Sequence, residues 1–250
     1  MRRGAGGLGR AYMTGPRILA CGDAAISVDF GNVIDLAVNA RVMALDRALA
    51  AEPVPGVVET VPTYSALLVH FDPLTTDYAA LCARVLALAR GDRAQLAPAR
   101  RWKVPVAYGG DLGADLDDLA AYAGMTPAAC VEAHIAPVYT VMMIGFMPGF
   151  SYLGGLDPGL ARPRRATPRP RVPASSVSIG GAQTAVGSVE GPSGWHLVGR
   201  TPALVFDRTR EPAFLFEAGD EIVFSPISTG EWHRLSVLAG DGAMIVERIA

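Results

Sequence analysis

The sequence has 250 residues, of which half are apolar, and this is enough to build two small domains with sizeable cores. Charged residues make up 18% and the formal net charge is -2, so no excess of basic residues suggests binding to nucleic acid. Three widely spaced cysteines give no disulfide framework and indicate a reducing cytoplasm, and no apolar run is long enough to span a membrane.

The first half of the chain predicts a small α+β domain over residues 17–91. Residues 1–16 are rich in Gly and Arg and lack the apolar core of a signal peptide, so we expect a disordered leader in which Met13 is a candidate start. Alternating apolar residues then predict strands, and helical spacing predicts helices with Ile34, Val38, Val42, Leu45 and Leu49 on one stripe and Leu81, Val85 and Leu88 on another. The predicted strands are 17–30 (two short strands), 57–61 and 66–71, and the predicted helices are 33–50 and 77–90.

A polar segment, residues 91–101, is predicted to be a linker to a second domain over residues 102–250. This domain opens with a strand at 102–108, followed by a helix at 115–123 and a second helix that Thr126 and Pro127 begin. Beyond residue 138 short strands alternate with Gly/Pro turns, which indicates a closed barrel or a sandwich. The predicted strands include 138–144, 177–179, 204–206, 221–224, 235–238 and 243–249.

Several catalytic motifs are excluded by the residues that carry their chemistry. Lys103 is the only lysine and stands in Trp-Lys-Val-Pro, so there is no P-loop, no biotin-attachment site and no Ser-Ser-Lys amidase centre. The histidines His70, His134, His196 and His233 lack metal-ligand spacing, and no metal site is predicted. We interpret His70 and His134 as structural, and Asp115, Asp117 and Asp118 as solvated residues at a helix start.

Residues 145–202 carry the strongest functional signal. Glycines, prolines and three aromatic residues are concentrated in 145–158, which fits either a ligand pocket or a turn-rich barrel corner. Five arginines follow within residues 162–171, and they fit either an anion clamp or a solvated loop. Farther along, donors and acceptors on adjacent turns could orient an amide or a carboxylate; these are Gln183, Thr184, His196 and Arg200.

Three ordered motifs in this segment resemble one known family. GFMPGFSYLGGLDP, RPRRATPRPRVPASSVSIGGAQT and PSGWHLVGRTP are similar to the family of the 5-oxoprolinase B subunit and KipI, also labelled allophanate hydrolase subunit 1 or carboxyltransferase subdomains C and D. The likeness extends through GDAAISVDFG, VPTYSALLVHFDP, YGGDLGADLDDLA and AGDEIVFSPIS, over residues 17–230. The sequence departs from the usual PAGS, QTGIYP and PGGW of the family, with PASS, QTAVGS and PSGW.

The resemblance implies a small α+β N-terminal domain followed by a mostly-β cyclophilin-like barrel. It implies the B subunit of a complex with a related, carboxyltransferase-type C subunit and an unrelated A subunit, which uses ATP to open 5-oxoproline to glutamate. A chain of this kind is expected to be inactive alone and to carry no biotin. Two alternatives stay open within the resemblance: a KipI-type inhibitor of a sensor histidine kinase, and a carboxyltransferase component of a biotin-dependent complex that metabolises urea or amides.

Motifs and residue chemistry together predict one pocket. His196, Gln183 and Thr184 are the candidate catalytic residues. Two roles stay open for His196: a general acid or base, or a residue that holds a loop by hydrogen bonds. Arginines are expected at the rim and aromatic residues in the walls. The remaining candidate substrate- or anion-binding residues are Phe146, Pro148, Phe150, Tyr152, Arg164, Arg169, Trp195 and Arg200.

Overall fold

The structure is a computed structural model that describes residues 15–91 and 99–250. Most of the predicted leader, including Met13, and the centre of the predicted linker lie outside these residues. The chain divides into two compact units, Met1–Gln95 and Leu96–Ala250. Each unit is described by itself below.

The first unit is an antiparallel four-stranded sheet with two helices. The strand order is β1-β2-β4-β3, so the two central strands are neighbours in space but not in sequence. The predicted sequence of strands and helices in this unit is confirmed. The elements are β1 (Arg17–Ala20), β2 (Ala25–Asp29), α1 (Leu36–Ala51), β3 (Val57–Pro62), β4 (Ala66–Phe71) and α2 (Tyr78–Arg90).

Local capping fixes where the helices of this unit begin. The side chain of Asp35 accepts hydrogen bonds from the amides of Ala37 and Val38 and starts α1, and the side chain of Asp77 caps α2. Ile34, predicted to face the core, is exposed because it precedes the cap of Asp35. The core is formed by apolar side chains of β2 and β4 packed against both helices, among them Ile26, Val28, Leu67, Val69, Val42, Leu45, Leu49, Leu81, Val85 and Leu88.

The second unit is a barrel with helices and a separate antiparallel pair of strands. None of the helices in residues 15–91 and 99–250 is both long and apolar enough to cross a membrane. The elements are β5 (Arg101–Tyr108), α3 (Leu116–Tyr122), α4 (Pro127–Ile135), β6 (Tyr139–Ile144), β7 (Ser151–Gly154), β8 (Arg169–Val172), β9 (Ser176–Gly180), β10 (Gln183–Val186), β11 (Gly191–Ser193), β12 (His196–Arg200), β13 (Glu221–Pro226), α5 (Thr229–Gly240) and β14 (Glu247–Arg248).

Seven strands close into the barrel, in the order β12-β9-β10-β7-β6-β13-β5, and β14 extends it beside β5. Closure occurs where β12 pairs with β5, through Gly199 opposite Tyr108 and Arg200 opposite Ala107. β13 runs parallel to β5, and β8 pairs with β11 outside the barrel. The prediction of an α+β domain followed by a closed barrel is therefore confirmed.

Three predicted strands near the C-terminus are wrong or overextended. Residues 235–238 lie inside α5, because the Ser228 side chain accepts a hydrogen bond from the Glu231 amide and starts a helix there. Residues 204–206 form only an isolated bridge between Phe206 and Phe214, and of residues 243–249 only two are in a strand.

Candidate functional site

Strand β10 separates the predicted catalytic residues onto two faces of the barrel wall. Gln183 pairs with Gly180 of β9, and a β-carbon on Gly180 would collide with the ring of Trp195, so these three residues share the outer face. The next residue, Thr184, points the other way, since successive side chains of a strand alternate. Its hydroxyl lies in the interior, 3.0 Å from Nε2 of His134. The structure thus brings Gln183, but not Thr184, to the outer face.

Four of the predicted aromatic residues form one connected cluster on this outer face. The ring of Phe150 lies 4.7 Å from that of Tyr152 and 6.3 Å from that of Trp195, measured between centroids. Tyr152 and Trp195 are 5.8 Å apart, and Phe146 extends the cluster from the far side of Phe150 at 5.8 Å. We call these four residues the aromatic cluster. Trp195 is its buried end and Phe146, 65% exposed, its open end.

The loop before β7 holds Phe146 in an unusual backbone conformation. Phe146 has φ of 71°, in the left-handed region that non-glycine residues rarely occupy. Two turn hydrogen bonds fix the loop, from the Gly145 amide to the Phe150 carbonyl and from the Phe150 amide to the Met147 carbonyl. The predicted Pro148 lies exposed between them. Strain that displays an apolar ring to solvent is typical of functional loops.

One small cleft lies beside the aromatic cluster. This cleft, over Ser176 and Ser178 with Phe150 as one wall, has a volume of about 20 Å³. That is room for about one water molecule, far below the several hundred cubic ångströms of a typical ligand pocket. This cleft alone is therefore too small to hold such a ligand.

The arginine segment, residues 162–171, is largely neutralised by carboxylates of the same unit. Arg169 donates two hydrogen bonds to Asp115, at 2.7 and 2.8 Å, and Arg165 donates a third at 3.2 Å. The other ion pairs are Arg162 with Asp118 at 2.8 Å and Arg171 with Glu190 at 2.7 Å. Arg169 is thus occupied by a protein carboxylate rather than presented as a rim cation.

Asp115 differs from its predicted role as a solvated helix cap. It is 4% exposed, makes no capping hydrogen bond, and also accepts a hydrogen bond from the Leu197 amide at 2.8 Å. Burial alone would raise the pKa of this carboxyl, but the hydrogen bonds from Arg169 and Leu197 and the charges of Arg169 and Arg165 outweigh burial. The pKa of Asp115 therefore lies below its usual value, and the carboxylate is charged.

Arg164 is the exception within the arginine segment. It is exposed, and no carboxylate in the described parts of the chain lies within ion-pair distance of it. Its guanidinium carbon stands 5.6 Å from the ring centroid of Trp195, a cation–π contact. Burial raises the pKa of the Tyr152 hydroxyl, and the charge of Arg164 offsets part of that rise. An available cation therefore borders the aromatic cluster.

Gln183 and His196 each have a buried nitrogen that lacks a partner in the described parts of the chain. They lie on different faces, because His196 pairs with the core residue Ile179 of β9, whereas Gln183 pairs with Gly180. Nε2 of Gln183 makes no hydrogen bond, although the residue is only 5% exposed. The Nε2 of His196 lies 2.9 Å from the carbonyl oxygen of Pro163, and because a carbonyl can only accept, this nitrogen carries the proton. In the neutral ring Nδ1 of His196 is then an acceptor, and this nitrogen too is buried without a hydrogen-bond partner among the described residues. Unpaired buried polar groups are costly and call for a ligand, a water or a functional explanation.

The side chain of Arg200, predicted at the rim of the pocket, contacts Ala174 and Trp232 instead. Its Nε donates to the Ala174 carbonyl at 2.8 Å, and its guanidinium lies 5.0 Å from the ring centroid of Trp232 in α5. It lies at the barrel closure, where Arg200 pairs with Ala107 of β5, and both of these side-chain contacts lie outside the aromatic cluster.

Comparison with known proteins assigns the chain, including both units, to a family. Residues 16–216 match the model of the carboxyltransferase domain, subdomain C and D. The chain belongs to this family. Within it, the 5-oxoprolinase B subunits of Bacillus subtilis (strain 168) and Escherichia coli O157:H7 are 35% and 36% identical to this chain. The alignments span 85% and 86% of this chain and 93% and 97% of the relatives.

One solved structure is similar to most of this chain. The crystal structure of TTHA0988 superimposes with a TM-score of 0.73 at 34% sequence identity. The match covers 82% of this chain but only 40% of that longer chain.

The range matched to the carboxyltransferase-domain family contains the whole outer-face arrangement, whereas β13, α5 and β14 lie beyond it. Asp115 is the residue of this arrangement that sequence reasoning missed. It stands in the YGGDLGADLDDLA stretch that carried part of the family likeness. The signal was present there, but three neighbouring acidic residues at a helix start favoured the capping interpretation.

Proposed function

We propose that this chain is the B subunit of a cytoplasmic, ATP-dependent 5-oxoprolinase that opens 5-oxoproline to glutamate. The observation that carries the proposal is the alignment with two 5-oxoprolinase B subunits along nearly their whole length. The outer face supports it, because an available cation, an unpaired amide donor and aromatic rings meet there.

Each chemical feature of 5-oxoproline has a counterpart on this face. Its carboxylate pairs with Arg164, since a guanidinium binds a carboxylate through two parallel hydrogen bonds. Its lactam carbonyl accepts from the unpaired Nε2 of Gln183, and its apolar ring edge lies against Trp195. His196 remains the candidate for proton transfer through Nδ1, although its pairing with Ile179 of β9 directs it to the opposite side of the strand from Trp195. These are the roles we assign to the site.

ATP enters through the complex rather than through this chain alone. An unstrained lactam resists hydrolysis, and phosphorylation of its carbonyl by ATP would activate it for attack by water. The chain has one lysine and no P-loop, so we assign nucleotide binding to the assembled complex. The small cleft beside the aromatic cluster supports a further wall from the C subunit, with the A subunit as the third component. The chain is proposed to be inactive alone, and no biotin is attached to it.

Reconstitution tests the proposal directly. The chain is co-expressed and purified with the C and A subunits, and glutamate and ADP release are measured with ATP and 5-oxoproline. We expect equal amounts of both products from the complete complex and neither from the chain alone. Proline, which has the carboxylate and a similar ring but no lactam, is the matched control substrate. A complete, stable complex that releases no glutamate would show that the assignment is wrong.

A further inference from the structure

Two segments of the barrel unit are joined beside the aromatic cluster. The Arg165 amide donates to the Gly194 carbonyl at 2.7 Å, and Nε2 of His196 contacts the Pro163 carbonyl at 2.9 Å. These two contacts tie residues 163–165, with Arg164 at their centre, to residues 194–196, with Trp195 at their centre. The cation–π contact between Arg164 and Trp195 depends on how these segments are held.

Asp115 binds both segments at once. Its carboxylate accepts from the side chains of Arg165 and Arg169 on one segment and from the Leu197 amide on the other. Its own amide donates to the Leu197 carbonyl at 2.9 Å, so the backbones at these two positions are also paired. A charged, buried acceptor with four donors is a rigid junction, because every oxygen is held from more than one direction.

The neighbouring Arg164 takes no part in this junction. Arg165 and Arg169 are neutralised by Asp115, whereas the guanidinium of Arg164 remains unpaired by any described carboxylate and stands over Trp195. Asp115 thus neutralises Arg165 and Arg169 and holds the segment that contains Arg164. The charge of Arg164 itself remains available. Along one short segment, Arg165 and Arg169 therefore fix the backbone, whereas Arg164 presents a free charge beside Trp195.

We propose that Asp115 is a positioning residue for substrate binding: it sets the placement of Arg164 relative to Trp195, and through Arg164 it determines the affinity for the carboxylate of the substrate. Asp115 does not contact the substrate. The choice of 5-oxoproline as that substrate rests on the proposed function, whereas the placement of Arg164 and Trp195 does not.

The kinetic test uses the reconstituted complex and the variant Asp115→Asn. Asparagine keeps the shape but loses the charge that binds both arginines. We expect KM for 5-oxoproline to rise by roughly tenfold or more with kcat changed by less than about threefold, since ground-state binding is what is lost. Asp118→Asn is the matched control, because Asp118 pairs with Arg162 of the same segment but its side chain is 63% exposed. It should leave KM unchanged.

A double variant separates positioning from general damage. If Asp115 acts through Arg164, then Asp115→Asn should add nothing to the KM of Arg164→Ala, because the interaction it supports is already gone. Independent, multiplying effects of the two changes would contradict the proposal. Since loss of one buried partner can prevent folding, Arg169→Lys is the milder second variant. It keeps the charge but not the two-pronged geometry and should raise KM by a smaller factor.

A spectroscopic test does not depend on the substrate. Fluorotryptophan is incorporated at the three tryptophans, and the ¹⁹F resonance of Trp195 is assigned with Trp195→Phe. Asp115→Asn and Arg169→Lys should shift or broaden this resonance, whereas Asp118→Asn should not. An unmoved Trp195 resonance in both variants would overturn the positioning role. Moved resonances in a complex that never acts on 5-oxoproline would instead retain that role and refute the proposed function.

Discussion

Nε2 of His134 lies 3.0 Å from Oγ1 of Thr184, and this contact fixes which nitrogen of the buried imidazole carries its proton. The Thr184 hydroxyl donates to the Ser178 carbonyl, so its oxygen accepts and Nε2 must donate. Nδ1 is then the acceptor for the Tyr108 hydroxyl at 2.9 Å. Burial lowers the pKa of His134 to about 3, which keeps the ring neutral. The chain Tyr108–His134–Thr184 is thus a neutral network inside the barrel.

The neutrality of His134 predicts a specific acid sensitivity. In the unfolded chain its pKa is near 6.5 and in the folded chain about 3, so the unfolded state binds more protons between these values. Its contribution to stability is complete above the unfolded pKa and is lost as the pH falls toward 3. His134→Gln should flatten the pH dependence of the unfolding free energy in this window by at most about 1.4 kcal/mol per pH unit. Denaturant unfolding at several pH values measures this.

Exposed His233 in α5 supplies the control for that experiment. His233→Gln is the matched control because it replaces a histidine outside the Tyr108–His134–Thr184 network. Equal slopes for the parent and His134→Gln would contradict a buried neutral ring. A direct check is the NMR titration of the His134 ring, which should show no protonation near pH 5.

The sequence predicts the elements whose signals are local and periodic. Apolar spacing alone predicts the helices of the first unit, and the structure adds that the side chains of Asp35 and Asp77 cap them. The predicted strand over residues 235–238 failed because alternation over four residues cannot be distinguished from one side of a helix. The better evidence was the pair Ser228 and Glu231, a capping-box spacing that starts α5.

The sequence predicts which segment carries the candidate site, but not which of its side chains share one face of the barrel wall. The motifs correctly brought Phe150, Tyr152 and Trp195 together. The motifs could not predict that Gln183 lies on the outer face and Thr184 in the interior. Which of the two faces outward depends on which side of β10 meets the barrel interior. Nor could the motifs show that Asp115, about fifty residues earlier in the chain, neutralises Arg169. Such pairings are set by the closure of the barrel, and one sequence carries no local signal for them.

Arg164 and Arg171 form a matched pair for testing anion binding. Both are exposed arginines of one segment, but Arg171 pairs with Glu190 and Arg164 has no such partner among the described carboxylates. Arg164→Ala should raise KM for 5-oxoproline in the complex by roughly tenfold or more, the effect of losing one charge-assisted interaction. Arg171→Ala should change neither KM nor the melting temperature. Identical kinetics for the two variants would assign Arg164 to the solvated surface.

His196→Gln separates the two nitrogens of the imidazole. A glutamine amide can still donate to the Pro163 carbonyl as Nε2 does, but it offers no basic nitrogen at the position of Nδ1. If His196 transfers a proton, kcat of the complex should fall by roughly 100-fold or more while the complex assembles and melts as the parent does. Full activity in an intact His196→Gln complex would leave His196 with only the role of holding Pro163.

Gly180 tests whether the aromatic cluster has to be in its observed place. A β-carbon at Gly180 would lie 2.4 Å from the Trp195 ring, so Gly180→Ala must displace the indole. We expect a loss of about 1–3 kcal/mol in unfolding free energy from overpacking, and a higher KM because Arg164 loses its aromatic support. Gly194→Ala is the control at the same site, since its β-carbon would meet atoms no closer than 3.7 Å. Unfolding and steady-state kinetics on both variants measure these effects. If Gly180→Ala lowers stability but leaves KM unchanged, the ring of Trp195 packs against the barrel without contributing to substrate binding.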